Sequence, residues 1–587
     1  MSPTLLEIRN LSTKFMTEAG EIEAVNNVSF TLKKGETIGI VGESGSGKSV
    51  TALSIMRLLS KNGIVSSGNI DFYNKENSVV DLLKIPEKEL QSYRGNELAM
   101  IFQEPMTSLN PVISCGNQVA EALIIHKNLS KQEARQRTIE LFGKVKLPRP
   151  EKMFDVYPHQ LSGGQKQRVM IAMAISCDPS ILIADEPTTA LDVTVQKTIL
   201  DLLNNLRNEN NMSMIFISHD LAVISQIADS VVVMYQGKVV ETGTTSDILN
   251  DPKHPYTKAL LACRPLLNKR LQRLPTLTDF MKENSDGTFT EIRKTVDESL
   301  NDLELNLREI EVQHQKIYSK EPILKVKNLS TWFPVRNGLF GKTTDYIKAV
   351  DDVSFDIYPG ETLGLVGESG CGKTTLGRTI LRLIEPTSGQ VLFKDRDFAT
   401  LEGNELRRMR KHIQMIFQDP YSSLNPKMPV GLAVMEPMQV HHLYDSDKSR
   451  KIKAEELLER VHLDKTVFNR YPHEFSGGQR QRICIARALA CQPEFIICDE
   501  SVSALDVSIQ AQVLNLLNEL KRDFNFTYLF ISHDLSIVKF MSDRMIIMNE
   551  GKIEEIGDPD TIYRSPKSEY TRRLIEAIPA MASSFQS

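Results

Sequence analysis

The stretch Gly42-Glu43-Ser44-Gly45-Ser46-Gly47-Lys48-Ser49 follows an apolar run, and the chain repeats it as Gly367-Glu368-Ser369-Gly370-Cys371-Gly372-Lys373-Thr374 after a second apolar run. Both segments match the pattern G-x-x-x-x-G-K-[ST], which lies between a buried strand and a helix. Its glycines let backbone N–H groups turn toward a phosphate, and the helix that follows directs the positive end of its dipole to the same place. The sequence therefore predicts two phosphate-binding loops in an α/β fold.

Within each loop the lysine and the last hydroxyl have separate expected roles. Lys48 and Lys373 are expected to neutralise the terminal phosphates of a nucleotide, while Ser49 and Thr374 are expected to ligate magnesium. The ligand that these residues imply is Mg-ATP or a close relative. The residues expected to contact it are Gly42, Ser44, Gly45, Gly47, Lys48 and Ser49 in the first copy, and Gly367, Ser369, Gly370, Gly372, Lys373 and Thr374 in the second.

Two further apolar runs end in an Asp-Glu pair, at Asp185 and Glu186 and again at Asp499 and Glu500. Such a run is typical of a buried strand that delivers carboxylates to its C-terminal end. We expect Asp185 and Asp499 to hold magnesium. Glu186 and Glu500 are the expected general bases, because hydrolysis needs an acceptor for the proton of the attacking water.

A third repeated element reads Leu161-Ser162-Gly163-Gly164-Gln165 in the first copy and Phe475-Ser476-Gly477-Gly478-Gln479 in the second. It precedes a helical stretch, so its serine can cap a helix whose N-terminus binds an anion. With this element the chain resembles the ABC ATPases over nearly all of both copies. The resemblance implies that Ser162, Gly163, Gly164, Gln165, Ser476, Gly477, Gly478 and Gln479 contact the γ-phosphate of ATP held by the opposite domain.

The same resemblance implies roles for residues whose type alone says little. Gln103 and Gln418 match the glutamines that contact magnesium and water and face the membrane partner. His219 and His533 match the histidines at the γ-phosphate. Asp192 and Asp506 also match family residues, in the loops before the next helices. Phe15 and Phe333, each expected in a loop, match the aromatic residues that stack on adenine, and packing in the core is the alternative for both.

The elements recur in one order, so the chain contains one module twice. Gly163 and Gly477, Glu186 and Glu500, and His219 and His533 are each 314 residues apart. We predict a first nucleotide-binding domain over 1–270, a charged and partly helical linker over 271–320, and a second such domain over 321–587. The resemblance implies that each domain has a RecA-like core, an antiparallel β subdomain and a helical subdomain that carries the Leu-Ser-Gly-Gly-Gln element.

Apolar residues in the linker recur at alternating spacings of three and four, which predicts one face of a single helix packed against a domain. The members of this stripe are Val296, Leu300, Leu303, Leu307, Ile310, His314 and Ile317. A helix that binds a partner and a helix of marginal stability are the alternative interpretations.

Two domains that face each other, as in the family, would make two composite ATP sites. The Lys48 loop would then meet Ser476, and the Lys373 loop would meet Ser162. Both sites hold every landmark, so both are expected to hydrolyse ATP. Met173 stands where the second copy has the more usual Arg487, a difference that puts equal rates of the two sites in doubt but not the competence of either.

The tails of the two copies indicate a branch of the family. His254-Pro255-Tyr256-Thr257 and Ser568-Glu569-Tyr570-Thr571 resemble tails of the dipeptide and oligopeptide importer ATPases, a D-type subunit followed by an F-type one. This resemblance implies import of di- or oligopeptides, with nickel or a glutathione-like cargo as alternatives. It also implies two integral membrane permeases, an extracytoplasmic solute-binding protein, and a peripheral position on the cytoplasmic face of the membrane.

The composition of the chain bears on its partners, its position relative to the membrane and its cofactors. With a net charge of −5 the chain has no broad positive field, so nucleic acid is not expected as a partner. The apolar runs are strand-sized, so no span is expected, and the start of the chain shows no secretory signal. Because Cys263 is the single cysteine near the tail, no iron–sulfur cluster is expected.

A soluble tandem ABC ATPase that acts on ribosomes is the alternative function. That class contacts RNA through basic helical segments of its linker. Between Asp297 and Glu311 the present linker has Arg308 as its one basic residue among several acids. The linker therefore favours the importer.

Overall fold

The computed structural model describes residues 3–17, 20–74, 78–104, 108–189, 191–284, 289–292, 295–337, 342–503 and 505–579. Within these ranges the chain folds twice into one α/β unit, as its repeated motifs predict. Each unit combines a four-stranded antiparallel sheet with a six-stranded, mostly parallel sheet. The predicted α/β fold class is therefore confirmed.

In the first unit the antiparallel sheet has the strand order β2-β1-β4-β5, and the second sheet has the order β10-β9-β3-β8-β7-β6. All neighbours in the second sheet are parallel except β9 and β10. The strands are β1 (Thr4–Thr17), β2 (Gly20–Lys33), β3 (Thr37–Val41), β4 (Gly63–Tyr73), β5 (Val79–Asp81), β6 (Leu98–Ile101), β7 (Ile181–Asp185), β8 (Ser213–Ser218), β9 (Ser230–Tyr235) and β10 (Lys238–Thr244). The helices are Lys48–Ile55, Glu87–Tyr93, Cys115–Lys127, Lys131–Lys144, Pro150–Met153, Gly163–Ile175, Val193–Asn210, Leu221–Ile224, Thr245–Asn250 and Pro255–Ala262, with a 3-10 turn at Pro158–Gln160.

The linker contains a short hairpin of β11 (Met281–Glu283) and β12 (Phe289–Glu291), and the helices Leu277–Phe280, Val296–Asn301 and Leu307–Tyr318. The second unit then repeats the first, with sheet orders β14-β13-β16-β17 and β18-β19-β20-β15-β21-β22. Its strands are β13 (Leu324–Asn337), β14 (Lys342–Ile357), β15 (Thr362–Val366), β16 (Ser388–Phe393), β17 (Arg396–Asp397), β18 (Ile413–Ile416), β19 (Phe495–Asp499), β20 (Thr527–Ser532), β21 (Arg544–Asn549) and β22 (Lys552–Gly557). Its helices are Lys373–Ile380, Gly403–Arg410, Pro420–Ser423, Val430–Val440, Asp447–Arg460, Gly477–Leu489, Val507–Phe524, Leu535–Met541, Pro559–Arg564 and Glu569–Glu576, with 3-10 turns at Lys465–Asn469 and Pro472–Glu474.

Strand β7 shows why both faces of the parallel sheet are apolar. Successive side chains of a strand point to opposite faces, so a strand covered on both sides needs an unbroken apolar run. Ile181 and Ile183 pack in the core shared with the antiparallel sheet. Leu182 and Ala184 pack in the core shared with the helical subdomain.

The parallel register brings the ends of three strands to one edge of the sheet. Val41 pairs with Ser218, and Asp185 pairs with Ile217. The phosphate loop, the Asp-Glu pair and the histidine therefore begin from the same edge. The second unit has the same register, with Val366 against Ser532 and Asp499 against Ile531.

The prediction of one continuous linker helix is wrong. The chain leaves the helix after Asn301 and starts a second one at Leu307, with Asn306 as its cap. The intervening residues form backbone bonds with an earlier part of the linker, from Gln272 N to Leu303 O and from Leu305 N to Arg270 O. These long-range bonds replace the helical ones, although the spacing of the apolar residues continues through the break.

The linker packs on both domains. Val296 and Leu300 belong to the same buried cluster as Leu517 of the second domain, and Met281 belongs to a buried cluster of the first. Arg270, just before the linker, binds Asp558 and Asp560 at 3.1 and 2.6 Å. In the part of the chain that the structure describes, no helix combines the length and apolarity needed to cross a bilayer.

Candidate nucleotide sites

Each phosphate loop closes around glycines that no other residue could replace. Gly47 has φ 95° and Gly372 has φ 107°, a region that residues with a side chain rarely adopt. A Cβ on Gly47 would also lie 2.6 Å from the carbonyl oxygen of Ala24. Glycine is therefore required both for the turn and for the close approach of the neighbouring strand.

The two lysines of these loops are buried and bind the loop backbone. Lys48 Nζ donates to the carbonyl oxygens of Gly42 and Glu43 at 2.7 and 2.9 Å. Lys373 Nζ donates to those of Gly367 and Glu368, both at 2.8 Å. Burial lowers the pKa of Lys48, and the carboxylate of Glu186, 4.0 Å away, opposes that effect. The ammonium groups thus lie at the mouth of a loop whose backbone is shaped for phosphate.

A hydroxyl and an Asp carboxylate meet beside each lysine. Ser49 Oγ donates to Asp185 Oδ1 and Thr374 Oγ1 donates to Asp499 Oδ1, both at 2.9 Å. Asp499 Oδ2 is buried and has no hydrogen-bond partner. Burial raises the pKa of Asp499, and it raises that of Asp185 to about 6 against the hydrogen bond from Ser49. An oxygen pair with an unsatisfied buried acceptor fits Mg²⁺, which prefers oxygen ligands.

This burial predicts that Asp185→Asn stabilises the protein when nucleotide and metal are absent. Because its pKa is raised, ionised Asp185 destabilises the fold by about 3 kcal/mol above about pH 6. This penalty falls as the pH drops from about 6 toward 3.8, the ordinary pKa of an Asp carboxyl. Asparagine removes the charge and can still accept from Ser49. Thermal unfolding at about pH 7.5 should show a clearly higher Tm for the variant, with about half that gain in stability at about pH 5.

Asp201→Asn, at an exposed position of the helix Val193–Asn210, is the matched control and should leave Tm unchanged at both values of pH. An equal gain in Tm for Asp185→Asn at both values would contradict the explanation by ionisation.

The first predicted general base, Glu186, is held by three side chains. Gln103 Nε2 donates to Glu186 Oε2 at 3.1 Å, Thr189 Oγ1 donates to it at 2.9 Å, and His219 Nδ1 lies 3.5 Å away. Burial would raise the pKa of Glu186, but the imidazole of His219, followed by Lys48 and Thr189, outweighs it and lowers the pKa to about 2. Glu186 also adopts φ 46°, a conformation uncommon outside glycine, as strained residues at functional sites often do.

The second site repeats this cluster around Glu500, which has φ 45°. Gln418 Nε2 donates to Glu500 Oε2 at 2.8 Å, and His533 Nδ1 lies 3.5 Å away. Burial opposes ionisation here too, but His533 and Lys373 prevail and lower the pKa of Glu500. Ser503 donates to the main-chain oxygen of Glu500 at 3.0 Å and not to its carboxylate. The two carboxylates therefore differ by one hydrogen bond.

Each Leu-Ser-Gly-Gly-Gln element begins a helix, as predicted. Ser162 caps Gly163–Ile175 by accepting from Gln165 N, while the side chain of Gln165 accepts from Ser162 N at 3.1 Å. The second element makes the same capping box on Gly477–Leu489. The first N–H groups of a helix have no partner within the helix, so each of these helix starts can bind an anion.

Contacts cross between the two domains at both loops. Ser44 Oγ donates to Asp506 Oδ1 at 3.1 Å, and Ser369 N donates to Asp192 Oδ2 at 3.4 Å. Ser508 also donates to the carboxylate of Glu43. Each phosphate loop thus touches the loop that precedes a helix of the opposite domain.

Two residues of the tails contact the phosphate loops, although the sequence motifs predict no role for them. The hydroxyl of Tyr256 accepts from Glu43 N at 2.9 Å, and that of Tyr570 accepts from Glu368 N at 3.0 Å. Their only signal in the sequence is their position in the repeated tails. By contrast, the predicted adenine-stacking residues Phe15 and Phe333 lie in strands β1 and β13 and not in loops. They pair with Ile22 and Ile347, and the antiparallel pairing continues past them to Thr17 and Asn337.

Comparison with known proteins agrees with this geometry. The family model for the ABC transporter matches residues 25–189 and 350–503. The chain belongs to the ABC transporter ATPase family. A second family model, the oligopeptide/dipeptide transporter C-terminal region, matches 240–287 and 555–586 of this ABC ATPase.

Curated relatives of this ABC ATPase match nearly its whole length. The glutathione import ATP-binding protein GsiA of Escherichia coli strain K12 is 47% identical over 589 residues, which is 99% of this chain and 90% of the relative. The protein of the same name from Pectobacterium atrosepticum is 46% identical over 577 residues, 98% of this chain and 89% of the relative. A solved dimeric ATP-binding cassette in a post-hydrolysis state with ADP and phosphate is 28% identical, covers 40% of this chain and 98% of its own, and has a TM-score of 0.37.

These findings confirm the predicted activity. The chain is the ATP-binding, ATP-hydrolysing subunit of an importer of the peptide-transporter type. The alternative of a ribosome-acting protein has no support among them.

Proposed function

We propose that this chain hydrolyses Mg-ATP at two composite sites and thereby drives import of glutathione or short peptides through two membrane permeases. One observation carries the proposal. In both copies the phosphate loop, the Asp-Glu pair, the glutamine and the histidine lie at one edge of the parallel sheet, and each phosphate loop contacts the opposite domain. The near full-length similarity to glutathione importers supports the cargo. Both matches to the peptide-transporter C-terminal region support it as well.

The residues at the strand edges would divide the work as follows. Lys48 and Lys373 would release the loop carbonyls and bind the terminal phosphates. Ser49 with Asp185, and Thr374 with Asp499, would hold Mg²⁺. When bound, Mg²⁺ would offset negative charge on the phosphates.

The low pKa of Glu186 limits it as a base while His219 lies beside it, since a weakly basic carboxylate accepts a proton poorly. If His219 turned to the γ-phosphate, Glu186 would lose its strongest cationic neighbour and its pKa would rise. Gln103, already bound to the same carboxylate, would keep it oriented. The histidine would thus switch on the base only when ATP is in place, and His533 would act in the same way on Glu500.

The segments that follow Gln103 and Gln418 support the proposal of a docking surface for each permease. Val112 is 78% exposed and Tyr421 is 56% exposed, and both follow the glutamines Gln103 and Gln418 closely. Beside Tyr421 a cavity of 170 Å³ is lined by Phe417, Ser423, Pro437, Cys484 and Arg487 among others. Exposed apolar residues around a cavity favour a protein partner, here two permeases that would hold the chain on the cytoplasmic face of the membrane.

One difference between the two docking surfaces lies at Arg487. Arg487 donates to Ser423 O and to Glu436 Oε2, both at 2.8 Å, so it braces the segment after Gln418 against the helix Val430–Val440. Met173 occupies the corresponding place in the first copy and has no polar group for such a brace. This difference supports two unlike permeases.

Reconstitution in proteoliposomes tests the function. With its two permeases and the solute-binding protein, the chain should import glutathione or a dipeptide in proportion to ATP hydrolysed, and the loaded binding protein should raise turnover several-fold. Import of nickel alone, or ATP turnover that cargo-loaded binding protein leaves unchanged, would contradict the proposal.

Val112→Asp with Tyr421→Asp is the matched variant for the docking surface. It should keep the ATPase activity of the isolated chain and lose both import and the stimulation by the permeases.

A further inference from the structure

The tail tyrosines are bound to the same peptide group as the phosphate-binding lysines. Glu43 N donates to the Tyr256 hydroxyl at 2.9 Å, and Gly42 O, the carbonyl of that peptide group, accepts from Lys48 Nζ at 2.7 Å. In the second copy Glu368 N donates to Tyr570, and Gly367 O of the same peptide group accepts from Lys373 Nζ at 2.8 Å. The tyrosine therefore binds the N–H of this peptide group, and the lysine binds its carbonyl oxygen.

Both tyrosines are themselves held firmly. Tyr256 is fully buried and Tyr570 is 7% exposed. Tyr256 also packs against Tyr235, with ring centroids 4.3 Å apart. A buried hydroxyl on a fixed ring is a rigid acceptor for the loop N–H, unlike a water or a flexible side chain.

The helices that carry the tyrosines also contact the opposite domain. Lys197, on the helix Val193–Asn210 that follows Asp192, donates to the carbonyl oxygen of Glu576 at 2.9 Å, at the end of the helix that holds Tyr570. On the other side, the helix Pro255–Ala262 packs against Val507–Phe524. Each tail helix thus lies between the phosphate loop of its own domain and the helix after the cross-domain Asp of the other.

We propose that Tyr256 and Tyr570 are positioning residues that hold the phosphate loops open for ATP, and that the tail helices make this hold depend on contact between the two domains. The proposal rests on the phosphate-binding role proposed above for the loops. It assigns to the tails a part in nucleotide binding, in addition to any contact with the transport partners.

Removal of the hydroxyl should affect ATP binding more than chemistry. In Tyr256→Phe the ring still fills its place, but the N–H of Glu43 is left buried without an acceptor, which is costly. The peptide can then turn away, and Lys48 moves with it because its ammonium is bound to Gly42 O of the same peptide group. Glu186 and its partners lie on another strand end and keep their geometry.

Steady-state kinetics of the full chain test this inference. Tyr256→Phe, Tyr570→Phe and the double variant should raise KM for ATP by roughly tenfold, with kcat changed by no more than about twofold. Binding of a fluorescent ATP analogue should weaken by a similar factor. In the single variants the broken link between the tail helix and its phosphate loop should also lower the Hill coefficient for ATP.

Tyr528→Phe is the matched control, because Tyr528 is also fully buried and its hydroxyl donates to Leu517 O at 3.2 Å, away from both loops. It should lower Tm without changing KM. If the tail variants changed Tm alone, as this control does, the positioning role would be overturned. If the wild-type chain bound no ATP, or if Lys48→Ala with Lys373→Ala bound it normally, the proposed function itself would fail, which is a separate result.

Discussion

The variant Glu186→Gln with Glu500→Gln is expected to hydrolyse ATP about 10²–10⁴-fold more slowly than the wild type, and to retain ATP at both sites. Glutamine has the shape of the carboxylate but accepts no proton from water. The contacts from Gln103, Thr189 and Gln418 need an oxygen acceptor, which an amide still supplies. Phosphate release and the nucleotide that stays bound after gel filtration are the two measurements.

A matched control keeps this test specific. Glu140→Gln removes a carboxylate that is 48% exposed and pairs with Arg137 on the surface, so turnover should not change. Normal turnover in the Glu186 and Glu500 double variant would contradict the general-base role of both residues.

The single variants separate the two sites. Thr189 gives Glu186 a hydrogen bond that the Glu500 carboxylate lacks in the corresponding place. The two carboxylates are therefore held differently, and the rates left in Glu186→Gln and in Glu500→Gln should differ from each other.

The sequence was sufficient for the sites that lie at the ends of strands. The phosphate loops, the Asp-Glu pairs and the histidines each follow an apolar run, and parallel pairing brings such ends together whatever the rest of the chain does. The capping serines Ser162 and Ser476 could be predicted for a similar reason, since a helix start is a local signal.

Contacts between distant segments could not be predicted in this way. Tyr256 binds Glu43, which lies 213 positions away along the chain, and no local spacing of residues predicts such a bond. The linker shows the reverse case, because the apolar period of Val296 to Ile317 is intact while bonds to Arg270 and Gln272 interrupt the helix. The sequence predicts a loop at Phe333, because the residues around it do not indicate how far β13 and β14 pair.

The composite arrangement of the two sites leads to the other large expected effect. Asp506 of the second domain touches Ser44 beside Lys48. In that same domain a Cβ on Gly478 would contact Ile509, so the Ser476 element lies next to the helix that follows Asp506. We therefore expect Lys48 and Ser476 to form one site, and by the same reasoning Lys373 and Ser162 to form the other.

Pairs of substitutions distinguish this arrangement from two independent domains. In the background of Glu186→Gln and Glu500→Gln, Lys48→Ala with Ser476→Arg damages one site twice and should leave about one trapped ATP per chain. Lys48→Ala with Ser162→Arg damages both sites and should leave almost none. If the two domains bound ATP separately, Lys48→Ala with Ser162→Arg would spare the second site and the two results would be reversed. The number of trapped nucleotides thus decides the arrangement, because both pairs contain the same lysine substitution and equivalent serine substitutions.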